Sequence, residues 1–345
     1  MKLLTFLLSS FLLVFSLSAQ RNYDVATVGF YNLENLFDTL DTPDVRDSEF
    51  TPLGDKRYGA KIYEEKQNNL ARVVAEIGTD ISPDGLAVLG VCEIENRDVL
   101  EDFIRHPNFQ RRNYRIVHFD SPDRRGIDVG LVYNPKYFLP METRTLPVIL
   151  PKEGTRDTTF SRDILWVKGD FMGEEMHFFV NHWPSRSGGE KASQHKRNYA
   201  ARQARTAIDQ IRAENPNAKV ILMGDLNDDP ISPSVRDILS GKRKVKDVDV
   251  DDMYNPMWNL YKKGTGSLAW RDSWNLFDQM VMTRGLVDEK VGGFQFKSAY
   301  VFNKPYLTQK TGQYRGYPFR TFVGDEYRGG FSDHFPVYTV LVRAK

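Results

Sequence analysis

Short, continuously apolar runs recur from one end of the chain to the other. They cover Val25–Tyr31, Leu86–Cys92, Tyr114–Phe119, Asp128–Tyr133, Ile164–Phe171, Met176–Asn181, Lys219–Met223, Gln279–Thr283 and Pro336–Val342. Many lack the in–out alternation of a half-exposed strand, which predicts strands covered on both faces. Two segments change to helical period. In Tyr63–Ile77, Leu70, Val73, Val74 and Ile77 share one face. In Gln194–Arg212, Ala200, Ala201, Ala204, Ala207, Ile208 and Ile211 do the same, and Asn215-Pro216 ends the pattern. A shorter helix is predicted over Arg97–Ile104. Asp38–Ala60 is polar and contains Pro43, Pro52 and Gly54, so it reads as a long loop, a length usually tied to a site or to disorder. Ser240–Asp252, a basic block followed by an acidic one, reads as a solvated surface excursion. Strands mixed with helices over the whole length give an α/β or α+β class in which sheets can pack on sheets.

Composition changes this picture mainly at the N-terminus. Lys2 is followed by a charge-free run, Leu3 to Leu17, and then by small residues ending at Ala19. The run is shorter than a membrane span, so residues 1–19 read as an export signal and residues 20–345 as one catalytic domain, periplasmic or extracellular. No linker or internal repeat divides the remainder. The chain of 345 residues has 47 Lys+Arg against 46 Asp+Glu. Such a balance excludes holding nucleic acid by bulk charge alone, though not through a locally basic cleft. The single cysteine, Cys92, excludes a disulfide framework and sits in an apolar run as a buried, inert thiol.

The chemistry lies in polar clusters at the ends of the apolar runs. These are Asn32-Leu33-Glu34-Asn35, Glu93-Ile94-Glu95-Asn96, Asn181-His182-Trp183, Gly224-Asp225-Leu226-Asn227, Asp278-Gln279 and Ser332-Asp333-His334-Phe335-Pro336. Each alone has a bland reading, since Asp and Asn after a strand usually form a turn. Together they supply hard oxygen donors, no thiolate and few imidazoles. That donor set selects Mg²⁺, Mn²⁺ or Ca²⁺ over zinc. Two histidines beside carboxylates suit proton transfer and charge stabilisation at phosphorus.

In order and identity these clusters resemble the endonuclease/exonuclease/phosphatase superfamily, over roughly residues 25–343. That superfamily includes pancreatic-type deoxyribonucleases, abasic-site endonucleases, neutral sphingomyelinases and inositol polyphosphate 5-phosphatases. Gly224-Asp225-Leu226-Asn227 and Ser332-Asp333-His334-Phe335-Pro336 carry the resemblance most specifically. The resemblance implies a four-layered α/β/β/α sandwich of two mixed sheets flanked by helices. It also implies roles. Glu93 is then the principal metal ligand with Asn32 beside it, and Glu34 and Asp333 are further acids at the metal. Asp225 and Asn227 hold and activate the attacking water. His334, oriented by Asp278, sits at the scissile phosphate, and His182 sits on a non-bridging oxygen. Whether Asp225 or the His334–Asp278 pair is the base stays open, and Glu95 reads as a spectator.

Substrate features are weaker. Residues 185–212 are rich in Lys and Arg, starting at Arg186 just after His182, and read equally as a polyanion wall or a solvated helix face. Arg124 and Arg125, just before the strand at Asp128, are further candidates to approach the substrate phosphate. Lys310–Arg328 mixes Arg with Tyr and Phe, which suits base stacking or a packed loop. The expected substrate is a phosphodiester, DNA or RNA. A lipid phosphodiester or a phosphomonoester is the alternative, with Trp258, Trp270 and Trp274 as the only hint of a membrane contact, and a catalytically dead binding module on the same fold is the remaining one.

Overall fold

The computed structural model describes residues 22–345 except 152, 153 and 156. The segment read as an export signal therefore lies outside the described residues. Among the described residues no helix is long and apolar enough to cross a membrane.

The first half of the chain runs β1 (Tyr23–Leu36), α1 (Ala60–Glu76), β2 (Leu86–Ile94), α2 (Arg97–Arg105), β3 (Arg115–His118), β4 (Asp128–Tyr133), β5 (Phe138–Leu146), a hairpin of β6 (Ile149–Pro151) and β7 (Thr158–Phe160), then β8 (Ile164–Phe171) and β9 (Glu174–His182). The second half runs α3 (Glu190–Glu214), β10 (Lys219–Asp225), β11 (Gly241–Lys242), β12 (Met253–Tyr254), α4 (Met257–Lys262), a hairpin of β13 (Leu268–Trp270) and β14 (Ser273–Asn275), β15 (Asp278–Thr283), β16 (Gln295–Val301), the short pair β17 (Phe322–Val323) and β18 (Glu326–Tyr327), and β19 (Val337–Ala344).

Two mixed sheets result, ordered β16-β19-β1-β2-β4-β3 and β11-β12-β15-β10-β9-β8-β5. Each has a central parallel pair, β1 with β2 and β9 with β10. A parallel pair needs a long crossover, and α1 and α3 supply the two crossovers. Each helix then covers the outer face of its own sheet. Leu70, Val73, Val74 and Ile77 pack on Leu89 and Val91, while Ala200, Ala204, Ile208 and Ile211 pack with Val220 and Leu222. Between the sheets, Phe30, Val88 and Leu131 meet Val167, Phe178, Ile221 and Met280 in a shared core. Four layers follow, as expected. Gly90 lies at a close approach of the two sheets, because a Cβ there would stand 2.6 Å from Met223 Sδ.

Helix α3 starts earlier than the apolar period indicates because its first turn is polar, and α1 starts three residues before Tyr63. The edge strands β5 and β16 escape the pattern altogether. They alternate partly buried with exposed positions, so no continuous apolar run marks them. The long loop after β1 is pinned by aromatics. Phe37 stacks on Phe50 at 4.3 Å, and both join buried Tyr58 and Phe322. Ser240–Asp252 is mostly a surface excursion, with β11 adding a short edge strand. Cys92 is fully buried, and burial pushes its thiol pKa well up.

Candidate active site

Register brings the polar clusters to one end of the sandwich. Asp225 at the end of β10 stands opposite His182 at the end of β9 and opposite Asp278 at the start of antiparallel β15. Lateral neighbours in register point to the same face, so three scattered residues form one row. Gly224 permits this. A Cβ there would lie 2.3 Å from the Asn181 carbonyl oxygen. From the facing sheet, β1 delivers Asn32 and β2 delivers Glu93. The segment before β19 delivers His334, tied to β1 by Ser332, whose Oγ donates to the Asn32 carbonyl at 2.7 Å and accepts the His334 N–H at 3.1 Å.

Asp225 Oδ2 is the centre. Asn32 Nδ2 donates to it at 3.2 Å, and the Nε2 atoms of His182 and His334 stand 3.7 and 3.9 Å away. His334 Nδ1 meets Asp278 Oδ2 at 2.6 Å. Glu93 Oε1 lies 3.8 Å from His182 Nε2, beyond hydrogen-bond reach, while its Oε2 accepts the Asn35 N–H at 3.0 Å. Backbone strain collects here too. Of eleven non-glycine residues with positive φ among the described residues, Glu34 (48°), Asn35 (54°), Glu93 (57°) and Asn227 (48°) belong to these strand ends. Such conformations persist where surrounding bonds over-determine them. Asn32 Oδ1 accepts the Glu34 N–H at 2.8 Å, and Asp225 Oδ1 accepts the Asn227 N–H at 2.9 Å.

The two histidines are held in opposite charge states. Burial drives the His182 pKa well below its ordinary value, and the charges of Arg162 and Arg125 push the same way. Burial acts downward on His334 as well, but the carboxylates of Asp278 and Asp225 outweigh it, and its pKa stands well above the usual value. Asp225 is pushed up to about 7 by burial, with Asp278 and Glu93 adding to the rise and His334 opposing it. Glu34 is also pushed up to about 7, by burial and then by Asp333.

Asn32, Glu93, His182, Asp225, Asp278 and His334 therefore share one cleft mouth. Other expected site residues sit differently. Asn227 turns its amide to the Trp183 carbonyl at 3.0 Å and shapes the turn. Glu34 accepts the Thr321 N–H at 2.7 Å and faces Arg320, which also holds Asp333 at 2.7 Å. Asp333 thus stands on the rim, paired with a guanidinium. Arg125 donates to Asn35 Oδ1 at the edge of the mouth. Arg186, expected on substrate, instead donates to the Asn227 carbonyl at 3.0 Å and pairs with Asp228, Asp229 and Glu190. The expected basic wall is largely spent in the same way, because Arg197 is buried against Asp228 at 2.7 Å and Arg205 pairs with Asp209. Glu95 does not share a regular face with Glu93, since the pairing of β2 with β4 shifts register between Cys92 and Ile94. Its carboxylate instead pins the long loop by accepting from the Asp38 N–H (2.7 Å) and Thr42 Oγ1 (3.0 Å).

Two supporting residues, Lys66 and Arg162, carry no mark in the sequence reading, and a third, Arg320 of the Lys310–Arg328 stretch, serves the acids of the mouth. Lys66 is buried on α1 and donates to the Glu34 carbonyl (2.6 Å) and Thr321 Oγ1 (2.9 Å). Its position four residues before Leu70, on the apolar face, was the available signal. Arg162 bridges Asp123 (3.2 Å) and the Trp183 carbonyl (2.7 Å) beside His182. Arg320 arrives from a loop. Neither arginine had a periodic context that marked it.

The donor chemistry fits a hard divalent cation. Among the described residues no hydrogen-bond donor reaches Glu93 Oε1, whose nearest charged partner, His182 Nε2, stands 3.8 Å away, so a hard oxygen is left facing the cleft. A second acidic group, His118, Asp120 and Asp128, has ligand atoms within 4.8 Å of one another. There Asp128 already faces His118 Nε2 at 3.1 Å and accepts both the N–H and Oγ of Ser121, so it anchors a loop.

The model of the Endonuclease/Exonuclease/phosphatase family matches residues 27–343. The chain belongs to that family. Its members hydrolyse phosphoester bonds with divalent metals, and this chain is accordingly a metal-dependent phosphoesterase. Similar solved structures include a family protein from Bacteroides thetaiotaomicron, with 17% identity, a TM-score of 0.54, and 94% of this chain and 97% of that one covered. A mannosyl-6-phosphatase from the same organism has 19% identity, a TM-score of 0.54 and coverage of 92% and 99%. The human Nocturnin catalytic domain, solved with a bound sulfate anion, has 12% identity, a TM-score of 0.51 and coverage of 93% and 97%. At these identities the likeness shows the fold. No curated protein matches the chain.

Proposed function

We propose that this chain is a phosphodiesterase acting on nucleic acid. The observation that carries the reading is one carboxylate, Asp225, flanked by a neutral and a charged histidine beside the cleft-facing oxygen of Glu93. Glu93 and Asn32 would hold the divalent cation, with Glu34 and Asp333 as acids near it. A cation there supplies neutralisation of the phosphate charge that repels a nucleophile.

The remaining work falls to side chains. Asp225, with a pKa near neutrality, takes the proton of the attacking water, which suits a general base better than an ordinary carboxylate would. Asn227 fixes the turn that aims it. His334, held as imidazolium by Asp278, donates toward the leaving oxygen and stabilises the charge that builds there. Neutral His182 donates from Nε2 to a non-bridging oxygen. Arg125, bonded to Asn35 at the edge of the mouth, would face the substrate phosphate from that side. A monoester reading has support from the structural likeness to a mannosyl-6-phosphatase. The aromatic and arginine-lined cavity beside Asp333, described below, favours a nucleotide chain.

The test is hydrolysis of bis(p-nitrophenyl) phosphate, DNA and RNA with Mg²⁺, with EDTA, and after Mg²⁺ is restored. Turnover is expected to need the ion. Glu93→Ala is expected to lose about 10²–10³ in rate with an unchanged thermal melt. Wild-type turnover by a folded Glu93→Ala protein overturns the assignment.

A further inference from the structure

A cavity of about 470 Å³ opens beside the catalytic mouth, within the size range of small-ligand sites. Its walls come from the β13–β14 hairpin and from the loop over residues 309–320. The two spaces share a wall. Asp333 lines the cavity and directly precedes His334, and Arg320 lines it while reaching Glu34 and Asp333.

The hairpin is fixed to the catalytic residues. Ser267, just before β13, accepts the Phe335 N–H on its carbonyl at 2.7 Å and the Asp278 N–H on its Oγ at 3.3 Å. Trp274 stacks on Phe335 with an interplanar angle of 15°. The two-residue turn is Arg271-Asp272, with φ of 48° and 62°. Positive φ at both central positions is the type I′ pattern, which Asp tolerates and Arg adopts under strain. The turn is clamped from the other wall. The Asp272 N–H donates to Tyr317 Oη at 2.6 Å, and Tyr317 Oη donates to Asp272 Oδ1 at 2.7 Å.

This clamped turn presents an unusual surface. Trp270 is 64% exposed and Tyr314 is 41% exposed. Arg271 lies over the Trp270 ring at 5.7 Å and has no ion pair among the described residues. Two flat aromatic faces, a free guanidinium and the amides of Gln309 and Gln313 therefore meet in one cavity. Aromatic faces with arginines bind the π-face of a base while the cation meets its phosphate. A membrane-entering hairpin would carry an apolar tip, and this tip is Arg-Asp.

We infer that this cavity is a nucleobase subsite, which stacks the unpaired base next to the scissile phosphate on Trp270 and Tyr314 and sets its backbone phosphate on Arg271. The inference rests on the nucleic-acid reading above and narrows it to single-stranded substrate.

The test uses the full chain with Mg²⁺ and an end-labelled 12-mer oligodeoxynucleotide, with and without one central tetrahydrofuran abasic nucleotide. Wild type should cut the bond flanking the abasic position about tenfold more slowly in kcat/KM than the matching bond of the intact strand. In the double variant Trp270→Ala/Tyr314→Ala that difference should vanish, because the intact strand falls to the abasic rate. Trp270→Phe keeps an aromatic face and should restore most of it. Equal cutting of both strands by wild type, or a difference that survives in the double variant, overturns the subsite and leaves the nuclease reading standing. Turnover of bis(p-nitrophenyl) phosphate without cleavage of any oligonucleotide overturns both. Co-sedimentation with sphingomyelin–phosphatidylcholine vesicles that is lost in the double variant replaces the base with a lipid surface.

Discussion

The two sides of the cleft mouth carry different chemistry. On the second-sheet side, His182, Asp225 and Asp278 stand in one register row, and His334 closes it. There Asp278 and Asp225 hold one imidazole charged, while burial, with Arg162 and Arg125, holds the other neutral. On the first-sheet side, Glu34 and Glu93 stand at strand ends with irregular backbone, Glu34 facing Arg320 while Glu93 keeps one oxygen toward the cleft. The first arrangement suits moving a proton, and the second suits receiving a cation. Identical residue types acquire these roles from burial and neighbours alone.

The sharpest way to break the contrast is Asp278→Asn. Removing that carboxylate lowers the His334 pKa, so the imidazolium disappears at a lower pH. The expected result is a loss of about 10³ in kcat, with the alkaline limb of the pH–rate profile moved to lower pH. A limb that stays in place would show that His334 does not set it. His182→Gln should cost less, about 10², and leave that limb where it is, because His182 works uncharged. A shifted limb in this variant would mean that the charge states are assigned to the wrong histidines.

The smallest effect concerns the acid side. Burial raises the Glu95 carboxyl to about 7. A raised folded-state pKa favours the protonated fold, so this contribution to stability is complete below the ordinary carboxyl pKa and is lost as pH rises through about 7. Thermal melts in EDTA should therefore show Glu95→Gln gaining on wild type between about pH 5 and pH 8, with turnover little changed. A constant gap across that range would show that the carboxylate is already charged in the fold at the acid end.

Much of this was readable from order and chemistry along the chain. Strands buried on both faces betray themselves as apolar runs, and polar residues at their ends stand out against them. Edge strands β5 and β16 did not, because one side of each meets water and polar residues are tolerated there. Within the mouth, residue types identified Glu93, Asp225, Asp278 and His334 as candidates without showing who touches whom. Arg186 illustrates the gap. Its place after His182 suggested substrate, yet three acids and the Asn227 carbonyl already occupy it.

Sequence by itself determined the family, the donor set and therefore the class of cation, since these depend on which atoms are present and in what order. Tertiary structure decided the charge states of the two histidines, the buried support of Lys66 and Arg162, and the aromatic cavity beside His334. Those properties arise from distances and desolvation between segments tens to hundreds of residues apart, which no local pattern encodes.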